Sequence, residues 1–147
     1  IGRVLPFLDI TNEVLSSRGA ALPLEGQCTT TMENRLEKGA QAQADIFGPH
    51  MLEAWKIGHI NRWLAANCFG DYYTRTGLTL AQREMITFCF LAAQGGCEPQ
   101  LTAHAKGNMN LGNDKAFLIR VVSQCLPYIG YPRSLNAITC VNQAAEG

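Results

Sequence analysis

Residues 78–104 read LTLAQREMITFCFLAAQGGCEPQLTAH, and this stretch decides the fold. Thr79 with Gln82 three residues on is a capping-box signature, so a helix is expected to open at Thr79. Leu80, Ile86, Cys89, Phe90 and Ala93 recur at helical spacing and predict an apolar face. Gly95-Gly96 ends the helix, because glycine accepts the left-handed backbone of a C-terminus. A second helix is expected from about Cys97, with Pro99 in its first turn, where a missing N–H costs nothing.

Three residues of this stretch are candidates for chemistry: Glu84, Cys97 and His104. A helix N-terminus carries partial positive charge, which favours a thiolate where a cysteine stands there. Cys97, Leu101 and His104 fall at i, i+4 and i+7 and share one helix face. Two turns separate Cys97 from His104 by roughly 10 Å along the axis. The pair is expected to line one pocket without touching, with Glu84 joining from the preceding helix.

Working outward, 147 residues with 47% apolar content suffice for one domain with a real core. Net charge is zero and no Lys/Arg run occurs, which argues against a nucleic-acid partner. No apolar run is long enough to span a bilayer. Residues 1–10 carry Arg3, Pro6 and Asp9 and do not read as a signal-peptide core. A first residue of Ile leaves room for sequence upstream. The cysteines at 28, 68, 89, 97, 125 and 140 form no CxxC pair, so neither a zinc ribbon nor a local redox dithiol is signalled. Cys89, Cys125 and Cys140 read as small core residues, and the expected setting is cytoplasmic and reducing.

In chain order, residues 1–29 read as a flank or docking arm, with a short helix over Asp9–Leu15 and a linker from Ala21 to Cys28. The helical domain is expected over residues 30–147. Thr30 and Glu33 form a second capping-box signature for a helix that stops at Gly48-Pro49. The small polar run from Lys38 to Gln43 is expected to be partly exposed. Residues 51–75 predict one longer helix, bent at Gly58 and Gly70, with an apolar stripe of Leu52, Trp55, Ile60, Trp63, Leu64 and Cys68. That stripe is core, or, where uncovered, a subunit contact. Asn113 is expected to cap a helix ended by Pro127, and Pro132 to open the last one. With no strand pattern anywhere, the fold class is an all-α helical bundle.

The runs FGDYYTRTGLTLAQREMITFCFLAAQGGCEPQLTAHAKGNMNLGN (residues 69–113) and VVSQCLPYIGYPRSLNAITCVN (residues 121–142) resemble the carboxymuconolactone decarboxylase family, within the alkylhydroperoxidase D-like superfamily. RLEKGAQAQADIFG (residues 35–48) resembles that family's opening helix. The likeness covers about residues 32–145. Its motifs are R-x-G-L-T, Q-L-x-x-H, N-x-G and G-Y-P-R-x-L-N-A. The resemblance implies a homotrimer or homohexamer with its site near a subunit interface. It also implies that Glu84, Cys97 and His104 match the Glu, first Cys and His of the peroxidase branch. Gln100 stands where that branch has its second cysteine, which removes the resolving thiol. PFLDITNEVLSSRG (residues 6–19) is similar to the end of a family unit and suggests a tandem-copy remnant or an arm on a neighbouring subunit.

These residues admit three functions. The first is a lyase that decarboxylates a small carboxylated lactone of aromatic breakdown without metal or organic cofactor. Here one of Arg75, Arg83 and Arg133 would hold a carboxylate by its guanidinium fork, and His104 or Glu84 would supply the proton. The second is a thiol peroxidase working through a sulfenic acid at Cys97, resolved by Cys89, Cys68 or an external thiol. The third is a non-catalytic oligomer that binds a small ligand. The bland alternatives are a helix-start cysteine without a role, a core histidine, and a Glu84 that pairs with Arg83 or Lys106. Tyr72 and Tyr73 read as core or interface.

Overall fold

In a computed structural model that describes residues 2 and 5–146, every regular element is a helix and no strand occurs among the described residues. The α-helices are α1 (Leu5–Ser17), α2 (Arg35–Phe47), α3 (His59–Trp63), α4 (Leu80–Gln94), α5 (Glu98–Asn110) and α6 (Lys115–Glu146). A 3₁₀ run, Pro49–Ile57, links α2 to α3, and α3 widens without a break into a π-helical run, Leu64–Tyr73. Among the described residues, no helix is long and apolar enough to cross a membrane.

The Thr79 capping box is made in full: the Thr79 hydroxyl accepts from the Gln82 N–H, and the Gln82 side chain accepts from the Thr79 N–H. Gly95 and Gly96, at φ +69° and +70°, end α4 in backbone that suits glycine. Cys97 is the N-cap of α5, with Pro99 in the first turn. The expected apolar stripe of α4 is rotated from the one the fold buries. Phe90 stands 71% exposed, and the buried residues are Glu84, Phe88 and Ala92, at i, i+4 and i+8. A charged residue at the N-terminal end of that face hides it from a reading based on hydrophobicity.

Other expectations need correction. The Thr30–Glu33 capping box is not formed. Helix α2 starts later, at Arg35, after Asn34, whose side chain instead accepts from the Thr31 N–H at 2.8 Å. The run from Lys38 to Gln43 is partly exposed, as expected, through Lys38 and Gln41, but Gly39, Ala40, Ala42 and Gln43 are buried, and the small ones permit backbone contact. A Cβ on Gly39 would lie 1.8 Å from the Ala65 carbonyl oxygen, and one on Gly70 would lie 2.2 Å from that of Arg35. Gly70 therefore seats α2 against the π-helical run instead of bending a helix. An Arg35–Asp71 ion pair closes the same crossing.

The segment 51–75 is three helical forms in series, broken at Gly58. Ile60, Trp63 and Leu64 in it are exposed, so this part of the stripe is not core in the protomer, whereas Cys68 packs against a buried cluster. Helix α6 passes through Pro127 and breaks at Gly130 (φ 76°, ψ 169°), after which Pro132 enters the final stretch. Asp114, not Asn113, caps α6, its carboxylate accepting from the Phe117 N–H at 2.7 Å. Helix α1 is longer than expected and buries none of its residues.

Two apolar clusters result. Phe88, Leu101, Leu118, Val122 and Val141 lock α4, α5 and α6 together. Ile46, Phe69 and Tyr73 join α2 to the π-helical run. The functional residues lie along the seam between them.

Candidate active site

Glu84 is wholly buried, an environment that penalises a carboxylate unless hydrogen bonds offset the lost water. Both of its oxygens have partners. Oε1 lies 2.5 Å from Nδ1 of His104, and Oε2 accepts from the Tyr73 hydroxyl at 2.9 Å. Tyr73 also shares a short hydrogen bond with the Thr87 hydroxyl. With Glu84 ionised, Nδ1 of His104 carries the proton, and Nε2 is left without a protein partner among the described residues. The His104 side chain keeps 17% of its exposure. The Phe47 ring meets it edge-on, with centroids 5.2 Å apart, and fixes the imidazole plane.

Asparagines set the spacing of the helices that carry these groups. The buried Asn108 amide donates to the Glu84 carbonyl on α4 at 3.1 Å and to the His104 carbonyl on its own helix at 2.8 Å. Asn113 donates to the Asn108 side-chain oxygen and to the Ala81 carbonyl. Asn110 ties α5 to the end of α2 through the Ile46 carbonyl. Gly107 makes the approach possible: a Cβ there would lie 2.9 Å from Oε1 of Glu84 and 2.6 Å from Ile46.

His104 opens onto a cavity of about 490 Å³, walled mainly by apolar side chains including Phe47, Met51, Leu64, Phe69 and Leu91. The polar lining comes from Tyr73, Thr87, Gln43, Gln100, Asn110 and Cys68, with His50 and Lys106 as exposed cationic or titratable groups. Burial, and then the charge of Glu84, push the Tyr73 hydroxyl above the ordinary tyrosine range. The same two causes raise the Cys68 thiol. Both therefore face the cavity in their protonated forms at neutral pH. Among the described residues, no three His, Cys, Asp or Glu side chains are grouped as metal ligands would be.

Of the residues singled out from sequence, Glu84 and His104 are joined directly, and Glu84 pairs with neither Arg83 nor Lys106. Cys97 does not share their cavity. It occupies the N-cap position at φ −137°, ψ 39°, off the helical register that would have aligned it with His104. Its thiol donates to the Leu91 carbonyl at 3.5 Å, and it lines a narrow crevice with Leu101 and Arg133. Among the described residues, no arginine lines the cavity. Arg83 donates to the carbonyls of Arg75 and Thr76, and Arg133 donates to the Ala93 carbonyl at the end of α4. Both are thus engaged in tying off backbone, and Arg75 takes part through its carbonyl. Cys89 faces Cys125, and its thiol is pushed up to about 12, by burial first and by that neighbour second.

Asn108, Gly107 and the α2 wall were not singled out from sequence, and Tyr73 was read only as core or interface. The Tyr73-to-Glu84 interval of 11 residues crosses a turn and two helix types, so no single helical period links them. Gln100 was noted only for the cysteine it replaces, yet it faces the cavity.

The sequence model of the carboxymuconolactone decarboxylase family matches residues 59–143. That span holds Tyr73, Glu84, Cys97 and His104 and leaves α2 outside it. No curated protein matches the chain.

Proposed function

The chain belongs to the carboxymuconolactone decarboxylase family, and from that premise we propose that it is a lyase removing carbon dioxide from a small carboxylated lactone without a cofactor. The observation that carries this reading is a buried Glu84 bonded to Nδ1 of His104, whose ring faces an apolar cavity. That arrangement suits proton transfer to carbon. Glu84 stabilises the imidazolium, and Phe47 holds the ring in place.

In the proposed reaction, the substrate carboxylate lies in the apolar cavity, where it is poorly solvated. The bond from the ring carbon to the carboxylate breaks, carbon dioxide leaves, and the electron pair remains on that carbon, spread toward the lactone carbonyl. His104, as imidazolium, gives its Nε2 proton to the carbon and is reprotonated from water. The net change is a carboxylate plus a proton going to a C–H bond and carbon dioxide. Tyr73, protonated, holds the second oxygen of Glu84. Lys106 is the cationic group, and His50 a further nitrogen donor, available to a second carboxylate, in place of the arginines expected from sequence.

The thiol-peroxidase alternative has less support. Cys97 lies outside the cavity, Gln100 occupies the position of the second cysteine, and the cavity thiol, Cys68, is held protonated. The same reading takes the protein as a homotrimer or homohexamer, consistent with the uncovered Ile60, Trp63, Phe90 and Tyr131.

The test is carbon dioxide release from a panel of carboxylated lactones. His104→Ala should lower the rate by about 10²–10⁴-fold, Glu84→Gln should lower it strongly, and Cys97→Ala should leave it near wild type. Absence of release from every such lactone, with hydroperoxide consumption that depends on Cys97, would reverse the assignment. Ligand binding without turnover would favour the non-catalytic alternative.

A further inference from the structure

The buried face of α2 consists of Gly39, Ala40, Ala42, Gln43 and Ile46, and Gln43 is the one polar side chain among them. It is 2% exposed, it lines the cavity, and its Oε1 is buried with no hydrogen-bond partner among the described residues. Folded proteins rarely leave such an atom unmatched. A methionine would fill the same room with no polar atom to satisfy, so packing does not explain an amide here. Gln43 also borders a second, smaller crevice of about 190 Å³, with Met51 and Leu64 lining both spaces.

Gln43 precedes Phe47 by one turn, roughly 6 Å along the axis, and Phe47 touches the His104 ring. The α2 wall therefore carries a polar anchor about one turn from the Phe47 ring, which in turn contacts the proton-transferring imidazole. We infer that Gln43 is a specificity-determining residue that binds a hydroxyl group on a ring-shaped substrate, while the ring lies in the apolar cavity beside His104. A hydroxyl both gives and takes a hydrogen bond, so it matches the amide in either orientation. The inference rests on reading the cavity as the substrate site. It also places this chain's own selectivity on α2, outside the span matched by the family model.

The experiment is calorimetric titration of the full chain with two probes of similar size, 4-hydroxybenzoate and 4-fluorobenzoate. Both carry the same carboxylate, and only the first carries a hydroxyl. Wild type should bind the hydroxy probe about tenfold more tightly, and Gln43→Met should bind both alike. The ligand-free Gln43→Met variant should melt at or above the wild-type temperature, since its unmatched acceptor is gone. No preference in wild type, or a preference that survives in Gln43→Met, overturns the role of Gln43 while leaving the cavity as a binding site. A clearly lower melting temperature for Gln43→Met overturns it too, by assigning Gln43 a structural task. Failure of wild type to bind either probe overturns the cavity reading and this inference together.

Discussion

Gly107→Ala isolates the geometry that lets α5 meet α4 and α2. A Cβ at this position would stand 2.6 Å from Cγ2 of Ile46, 2.9 Å from Cε1 of Phe47 and 2.9 Å from Oε1 of Glu84. Carbon atoms in comfortable contact lie about 3.5–4.0 Å apart, so Ile46 or the α5 backbone must move by about 0.9 Å. The three contacts come from α2 and α4, and retreating from one presses on another. Overpacking of this kind costs about 1–3 kcal/mol, and the crowding of three groups puts this case near the upper end. Replacing a helical glycine by alanine returns up to about 1 kcal/mol.

The expected net loss is therefore about 2 kcal/mol. In urea unfolding followed by circular dichroism, that is a midpoint lowered by about 1 M. If the variant were instead more stable by about 1 kcal/mol, the full helix-propensity gain would have been realised. The packing of Glu84, Ile46 and Phe47 around Gly107 would then be wrong as described.

Gly39→Ala should be worse than Gly107→Ala, exceeding about 3 kcal/mol, because its Cβ meets the Ala65 backbone at 1.8 Å, and backbone gives less than a side chain; equal urea midpoints would contradict this. Asn108→Leu should cost about 3 kcal/mol, since it strips a bond from two carbonyls and from Asn113, a loss readable in the same assay. Folded Tyr73 keeps its proton above the ordinary tyrosine range, while the unfolded chain releases it near pH 10. Its contribution should thus be intact below about pH 10 and fall above it by up to about 1.4 kcal/mol per pH unit, a slope that Tyr73→Phe should lack. Alkylation followed by mass spectrometry should mark Cys28 first. That thiol is exposed and held below the usual range by hydrogen bonding with Thr30, backbone first and side chain second, whereas Cys68 and Cys89 should lag.

Local chemistry made the α4–α5 frame legible. The Thr79 cap, the paired glycines and Pro99 each act within a few residues, and those signals survive folding unchanged. The all-helical class followed from the same local patterns. Glu84 and His104 were visible as residues of the right type on consecutive helices. Their partners were not, because which face of α4 turns inward depends on what α6 and α5 place against it. The small residues of α2 look polar and solvent-facing until the π-helical run is laid across Gly39. The same limit applied to Cys97: helical spacing aligned it with His104, but an N-cap residue does not have helical dihedrals. The arginines were sensible carboxylate ligands by type, and only the folded chain showed Arg83 and Arg133 bound to open carbonyls.

The π-helical run Leu64–Tyr73 ends on the tyrosine that holds Glu84. Its i→i+5 bonding stores more residues per turn than an α-helix, so it behaves as a place where chain length itself is a tunable quantity. Loss of a single codon within it would let the segment relax toward α geometry and swing the following residues by about 100°. Tyr73 would leave Glu84, and Phe69 would leave the cavity wall. Most substitutions here would adjust the lining by degrees, but a one-residue deletion would exchange it wholesale. Among the length changes open to this chain, it is one with the power to recast the pocket while leaving α4, α5 and their dyad untouched.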